Sequence, residues 1–530
     1  MWSKIFAHTL EGQLTMLHTD NPLPITRPHL FSSNAVNLFN ISHVCALFRE
    51  VALNNPGLWA MVSSLNGLSV DLLQAILRRS QAHPLTLSFS EDSTLPTGRE
   101  IWHTIMPEYS RVAFLRIHVA DGYPGAKLQA LLTVPAPTLQ HCTIQFSGKR
   151  NVCLDFFVPN TLRPFGGCCP QLQQLDLINC YIPPKHYRFP QLTSTSVRCD
   201  TILLPNISFI SIKDCFEWRP QFKYLHHLVL RNSLEPVSET DLPNNLYLIP
   251  LDLPVLKTID IVASPNTCHQ LATILRLPPH CSRRITFLFP PDQRFSIVSS
   301  AKAAAGAAAM FVSPDVVYTG CALGMKDHHS FLRLLSFGRE IVTIKLDIYH
   351  LRIDCSNPIS SVFKALAWPI AAFHEQVISD MFLYRFWDDM SSILRQALAS
   401  LGVIHLFFDR HSPASHIFSP VLVRLSRVQT VVVYSSDVWT SRCFDYILCR
   451  SIFPRMKNLI LPLDDSVTHA VSTSIARFLE ERIKVDHLLF RVSAYQVELM
   501  GYAAPEEIRS KIGTICKDFP QSVELDWVVL

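Results

Sequence analysis

Glycine is scarce in this chain, at 16 of 530 residues, and no G-x-x-x-x-G-K-[ST], G-x-G-x-x-G or G-x-S-x-G run occurs. Glycine-dependent phosphate cradles and nucleophile elbows are thereby excluded. Charge is also low. Charged residues make up 17% and apolar ones 48%, against roughly 25% charged in average domains, so the composition is not that of a disordered chain. Lys and Arg (47) exceed Asp and Glu (43) by a formal charge of only +4. No excess of either sign predicts binding to nucleic acid or to an acidic membrane surface. Long apolar runs are missing as well. The most apolar tract, Ala303–Val312, falls far short of the ~18 residues of a membrane span, and it ends at Ser313-Pro314-Asp315. A buried helix is expected there, in a soluble protein.

The 15 cysteines include no C-x-x-C pair, and Met1–Gln13 has no long apolar core behind a basic start. Reduced, mostly buried thiols in the cytoplasm or nucleus are the expectation. Metal and catalytic signatures fail one by one. His374-Glu375 begins an H-E-x-x-H motif, but Ile378 occupies the second histidine position. Gly148-Lys149 lacks the upstream glycine of a phosphate loop. His226-His227 and His328-His329 have no ligand partners at useful spacing. Asp388-Asp389 are adjacent on an expected helix and so point to different faces, as at a solvated helix end. The residues predict no enzyme, no cofactor and no metal.

What is present begins with helices. In Asn40–Leu53, Val44, Leu47, Phe48 and Val51 recur at i, i+3, i+4 and i+7, one stripe of an amphipathic helix. Asn40 or Ser42 can cap its start, and Asn54-Asn55-Pro56-Gly57 stops it. Leu58 and Trp59 follow as a bulky pair. Upstream, Trp2, Ile5, Phe6 and Leu10 form one face of a short helix, and the proline-rich Asn21–Pro28 is a loop. Leu72, Leu73, Ile76 and Leu77 mark a further helix within Asp71–Ser80. Helices this short cannot bury their apolar faces alone and require the rest of the chain or a partner.

From residue 85 onward one unit recurs: apolar-x-x-apolar-x-apolar-x-x-small. Leu172, Leu175, Leu177 and Cys180 fit it, as do Ile207, Ile210, Ile212 and Cys215, and Leu256, Ile259, Ile261 and Ser264. The middle apolar positions are Leu115, Cys142, Leu175, Ile210, Leu228, Ile259, Leu288, Ile344, Leu406, Val431, Leu459 and Leu488. Most separations lie between 25 and 35 residues, with one of 18 and two of 56 and 62. Each of the two wide gaps is about two periods and can hide a degenerate unit. Asp315–Tyr318 is the candidate strand in the first, and the second contains the helical, aromatic-rich Phe363–Leu398. The pattern is that of leucine-rich repeats: α/β, a curved parallel sheet with helices and loops outside. An ordinary α/β sheet domain is the alternative. With roughly 150 residues per domain as a prior, several modules or one elongated one are expected.

A resemblance adds to this reading. Ile41-Ser42-His43-Val44-Cys45, Phe48-Arg49, Ala52 and Leu58-Trp59 resemble the second half of the F-box motif in the form found in large fungal families, S-x-V-C-x-x-W/F-R-x-x-A…L-W. MWSKIFAHTL is similar to the end of the first F-box helix, and Leu85-Thr86-Leu87-Ser88-Phe89 matches what such proteins carry next. The L-P-x-E opening is absent, and phenylalanine stands at 48 where tryptophan is usual. The resemblance implies an F-box-like helical module at 1–65 without its full N-terminal helix, a helical linker at 66–84 and an irregular leucine-rich-repeat solenoid at 85–530. It further implies a non-catalytic substrate receptor of a cullin-type ubiquitin ligase. Ile5, Phe6, Val44, Phe48, Leu58 and Trp59 would then dock on the Skp-type adaptor, and the repeats would hold a protein substrate. On each strand the residues alternating with the apolar ones face outward. That rule selects Asp176, Lys213, Arg231, Asp260, Lys345 and Phe407 as substrate contacts. The other reading is a leucine-rich-repeat interaction scaffold without ligase association. Neither reading calls for nucleic acid or membrane.

Overall fold

The computed structural model describes residues 42–61, 68–91, 98–119, 132–147, 164–182, 191–198, 224–234, 250–288, 297–313, 315–326, 329–336, 339–347, 383–399, 401–408, 418–433, 458–462, 490–496 and 523–529, with isolated positions between them. They form an α/β protein with a large, mostly parallel mixed sheet and helices. The chain divides into two compact units, Met1–Glu235 with Leu251–Leu256, and Pro236–Pro250 with Lys257–Leu530. The described helices between Ala46 and Ser80 fall in the same compact unit as the first strands.

In the first unit, helices α1 (Ala46–Leu53), α2 (Pro56–Ala60) and α3 (Val70–Ser80) precede β1 (Leu85–Glu91), α4 (Gly98–Ile105), β2 (Val112–Val119), β3 (His141–Phe146), β4 (Gln174–Ile178), β5 (Ser194–Arg198) and β6 (His227–Arg231). The strands lie side by side in chain order, every pair parallel. Such an order arises when each crossover repeats the one before it. Register aligns the core into rows. Leu87, Leu115, Cys142, Leu175, Thr195 and Leu228 form one, and Ile117, Ile144, Leu177, Val197 and Leu230 the next, all buried. The repeat positions Leu115, Cys142, Leu175 and Leu228 thus occupy one ladder. Between Leu175 and Leu228 the ladder residue is Thr195, where the sequence pattern selected Ile210. Strand β5 reads STSVR, and its polar residue at the core position conceals it from an apolar search. Ile210, with its whole unit Ile207–Cys215, lies outside the described residues, as does Leu488.

The bend after β4 also differs in detail. Asn179 takes a left-handed backbone, φ 55°, and its buried Nδ2 donates to the Phe146 carbonyl at 2.7 Å. Asn232, after β6, repeats the conformation at φ 52°. Asparagine tolerates this region better than most residues. Cys180, expected to close the bend, follows Asn179 and directs its Sγ at the Ile144 carbonyl.

In the second unit the strands are β7 (Thr258–Ala263), β8 (Ser282–Phe287), β9 (Gly320–Lys326), β10 (His329–Ser336), β11 (Arg339–Asp347), β12 (Val403–Phe408), β13 (Thr430–Val433), β14 (Asn458–Pro462), β15 (Phe490–Gln496) and β16 (Val523–Val529). Helices α5 (Pro265–Ile274), α6 (Ile297–Phe311), α7 (383–393), α8 (Arg395–Ala399) and α9 (Ser419–Arg424) lie among them. Spatial order is β7-β8-β11-β10-β9-β12-β13-β14-β15-β16. Strand β10 runs antiparallel to both β9 and β11, whereas β8–β11 and β9–β12 pair in parallel. The expectation of a parallel sheet is corrected here: the wide gap before Ile344 hides a meander that folds back on itself. The proposed hidden strand Asp315–Tyr318 forms no strand, and β9 and β10 fill the gap instead.

Helix α6 matches the apolar tract, with Ala301, Ala304, Ala305, Ala307, Ala308 and Phe311 buried and Lys302 and Met310 outside. It explains a further correction. On β8 the residue in register with Ile259 is Arg283, not Leu288. Arg283 is 4% exposed, and its guanidinium donates to the carbonyls of Phe311 and Pro278. A cation thereby satisfies the last carbonyl of α6, where helix dipole and orphan acceptors favour positive charge.

Candidate functional site

The helical segment is built from its caps. Asn40–Leu53 is not one helix, because Cys45 breaks it with an extended backbone (φ −156°, ψ 169°) and caps α1 by accepting the Phe48 N–H at 3.5 Å. Asn55 caps α2 through Oδ1 on the Gly57 N–H at 3.1 Å, with Pro56 at the first helical position. Ser69 caps α3. Arg111 closes the far end of α3, donating to the carbonyls of Leu77 and His83 and to the Ser80 hydroxyl, and pairing with Glu108 at 2.7 Å.

These caps decide which apolar residues face solvent. Val44 is 67% and Leu47 52% exposed, Phe48 and Val51 are half-buried, and Ala52 is buried. The predicted stripe is therefore not a single buried face. Leu58 and Trp59 are each 1% exposed. The Trp59 indole donates to the Ala52 carbonyl at 2.6 Å, and the Arg79 guanidinium lies 4.5 Å from its ring centre. These two are core residues of the chain, not surface anchors. Of the six adaptor residues read from the sequence, Val44 is exposed and Phe48 half-buried. Leu47, which was not selected, is also exposed. Ile5 and Phe6 lie outside the described residues.

The outward face of the first unit also falls into rows. Phe114, His141, Gln174, Ser194 and His227 make one, and Arg116, Thr143, Asp176, Ser196 and Val229 the next. Phe114 and His141 stack at 4.5 Å, 9° from parallel. Gln174 donates its amide to Asp176 at 2.7 Å, which leaves its carbonyl oxygen to accept from His141 Nδ1 at 3.0 Å. Burial, and then the neighbouring Arg116, hold His118 below the ordinary imidazole range. Arg231 lies one row beyond Val229 and two strands from β4, so Asp176 and Arg231 share a face without touching.

In the second unit Asp260, Arg284, Thr343 and Arg333 form a row across β7, β8, β11 and β10. Val262, Thr286, Lys345 and Phe331 form the next. Arg284 meets Asp260 at 3.7 Å, and Arg333 meets Glu340 at 3.5 Å and stands 5.1 Å above the Phe331 ring. Thr343 donates to Glu340. Lys345 is half-buried, and burial, followed by Arg284 and Arg333, pulls its amine below the usual lysine range against the opposing pull of Asp260 and Glu340. Asp260 and Lys345, selected from the sequence, thus belong to one charged cluster. Arg284 and Arg333 were missed because their strands broke the repeat spacing. Phe407 lies on β12, paired with Gly324, and Lys213 lies outside the described residues.

Among the described residues no group of three or more His, Cys, Asp or Glu could hold a metal ion, and no helix is long and apolar enough to cross a membrane. No protein-family model matches this chain, and no curated protein matches it either.

Proposed function

We propose that this chain is a non-catalytic substrate receptor of a cullin-type ubiquitin ligase. Its N-terminal helices dock on a Skp-type adaptor, and an irregular leucine-rich-repeat sheet, interrupted by the β9–β11 meander, holds a protein substrate. The observation that carries this reading is the pair Val44 and Leu47, large apolar side chains turned to solvent within the segment that resembles the F-box. A receptor of this kind makes and breaks no bond; it raises the local concentration of substrate lysines at the ligase. The alternating outward rows supply mixed aromatic and charged positions of the kind that interfaces use.

A second reading has its own support. The burial of Leu58 and Trp59 against the chain suits helices that merely cap the sheet of a protein-interaction scaffold. Co-purification of the full chain with a Skp-type adaptor separates the two. Stoichiometric recovery supports the receptor; none at micromolar concentrations leaves the scaffold.

A further inference from the structure

On the outward face of the first unit, Thr86, Phe114, His141 and Gln174 stand side by side on β1, β2, β3 and β4. Phe114 and His141 stack with ring centres 4.5 Å apart and planes 9° from parallel. That separation is close to the ~4.8 Å between neighbouring strands, so the ring normals run along the row. His141 therefore takes one face of Phe114, and the other face is turned towards β1. There the row ends, because β1 is the edge of the sheet. Thr86 stops at its γ atoms, where a ring would only begin, and cannot cover that second face. Phe114 accordingly stays 41% exposed, although Ala113 and Leu115 on either side of it are buried. Leu65 donates its N–H to the Ser88 carbonyl at 2.9 Å, a contact along the edge of the sheet rather than over its face. The stack is also held in place. His141 Nδ1 bonds Gln174 at 3.0 Å, and Gln174 donates to Asp176 at 2.7 Å, so the imidazole cannot turn away without breaking the chain of bonds. A flat surface fixed in advance spares a ligand the cost of ordering it.

We infer that Phe114 is a stacking platform for an aromatic side chain, Phe, Tyr or Trp, of the bound protein, whose ring lies above Thr86 and extends the Phe114–His141 stack by one strand spacing. An aromatic ring matches the open face in shape and gains pairing energy beyond its buried area, which an aliphatic side chain does not. A nucleobase fits less well because it brings a phosphate. The row Thr86, Phe114, His141, Gln174, Ser194 and His227 holds no Lys or Arg, and Arg116, next outward along β2, already has Asp176 favouring its charge. This inference gives the substrate of the receptor proposed above an exposed aromatic residue and rests on that reading. Its test needs no adaptor, so the two fail separately.

The test titrates the full chain into N-acetyl-4-fluoro-L-phenylalaninamide and, separately, N-acetyl-5,5,5-trifluoro-L-leucinamide, and reads binding from the 19F linewidth. The aromatic probe is expected to bind roughly three- to tenfold more tightly, the scale of one aromatic pair. Phe114→Ala abolishes the preference, and Phe114→Trp keeps it. Thr86→Phe, which fills the same position from within the chain, abolishes it too. That variant removes no ring, so its result counts even where Phe114→Ala lowers the melting temperature. Equal binding of the two probes by the wild type overturns the inference, as does a preference that survives in Thr86→Phe. Displacement of the aromatic probe by adenosine monophosphate at lower concentration than by N-acetyl-L-phenylalaninamide overturns it in favour of a nucleobase.

Discussion

Trp59 and Val44 belong to one short stretch of sequence and have opposite surroundings. Trp59 is enclosed, with its indole N–H bound to Ala52 and its ring under Arg79. Trp59→Ala removes a large buried side chain and leaves the Ala52 carbonyl without its donor, so a loss of about 3–5 kcal/mol is expected in a denaturant titration. Val44→Asp acts on an exposed side chain, and its effect on stability should stay within about 0.5 kcal/mol. If the adaptor docks there, the same substitution lowers adaptor recovery at least tenfold, since truncating or charging an interface anchor typically costs ~2 kcal/mol or more. Unchanged recovery in Val44→Asp moves any adaptor contact elsewhere. The spacing of apolar residues was legible in the sequence. What it did not reveal was the break at Cys45, because a helix cap is a backbone event that apolar periodicity does not register.

At the scale of elements, α6 shows how an alanine-rich helix becomes core. Its small side chains let α5 approach, and Gly306 lies opposite His269. A β-carbon at 306 would meet the His269 ring at 3.6 Å, an ordinary contact. Gly306→Ala therefore reduces the freedom of the unfolded chain without a clash and should stabilise the protein by about 0.5–1 kcal/mol, read as a raised denaturant midpoint. The helix was predictable from composition and its Ser313-Pro314 stop. The meander was not. A search for a fixed parallel period cannot see β9 and β10, whose partners are near in sequence and run in alternate directions. Arg283 was invisible for a related reason: it fills an apolar register position only because the C-terminal carbonyl of α6 is there to receive it.

At the scale of the whole molecule, thiol chemistry reports the core. Of eight cysteines, Cys45 and Cys168 are exposed, and Cys142, Cys169, Cys180, Cys268, Cys281 and Cys321 are buried. Burial pushes Cys169 and Cys321 up to about 12 and Cys281 up to about 11, and Cys142, Cys180 and Cys268 move in the same direction. Of these eight, an aromatic disulfide reagent at pH 8 should label Cys45 and Cys168 quickly and the other six only as the chain opens. The pH dependence follows in sign. Above the unfolded value of about 9, unfolded thiols ionise while folded ones keep their protons. The unfolded state then binds fewer protons, and stability falls as pH rises from about 9 towards 12. Alkaline melting curves that stay flat over this window would contradict the burial of these residues. Sequence alone determined the α/β class, the strand-bearing positions Leu115, Cys142, Leu175, Leu228 and Ile259, and the outward phase of Asp176, Arg231, Asp260 and Lys345, because side-chain alternation is a local property of the extended chain. Only the tertiary structure decided that Leu58 and Trp59 are core, that β10 reverses the sheet, and that Arg284 and Arg333 come to flank Thr343. Those outcomes depend on which strands become neighbours, and pairing partners distant in the chain leave no mark in local spacing.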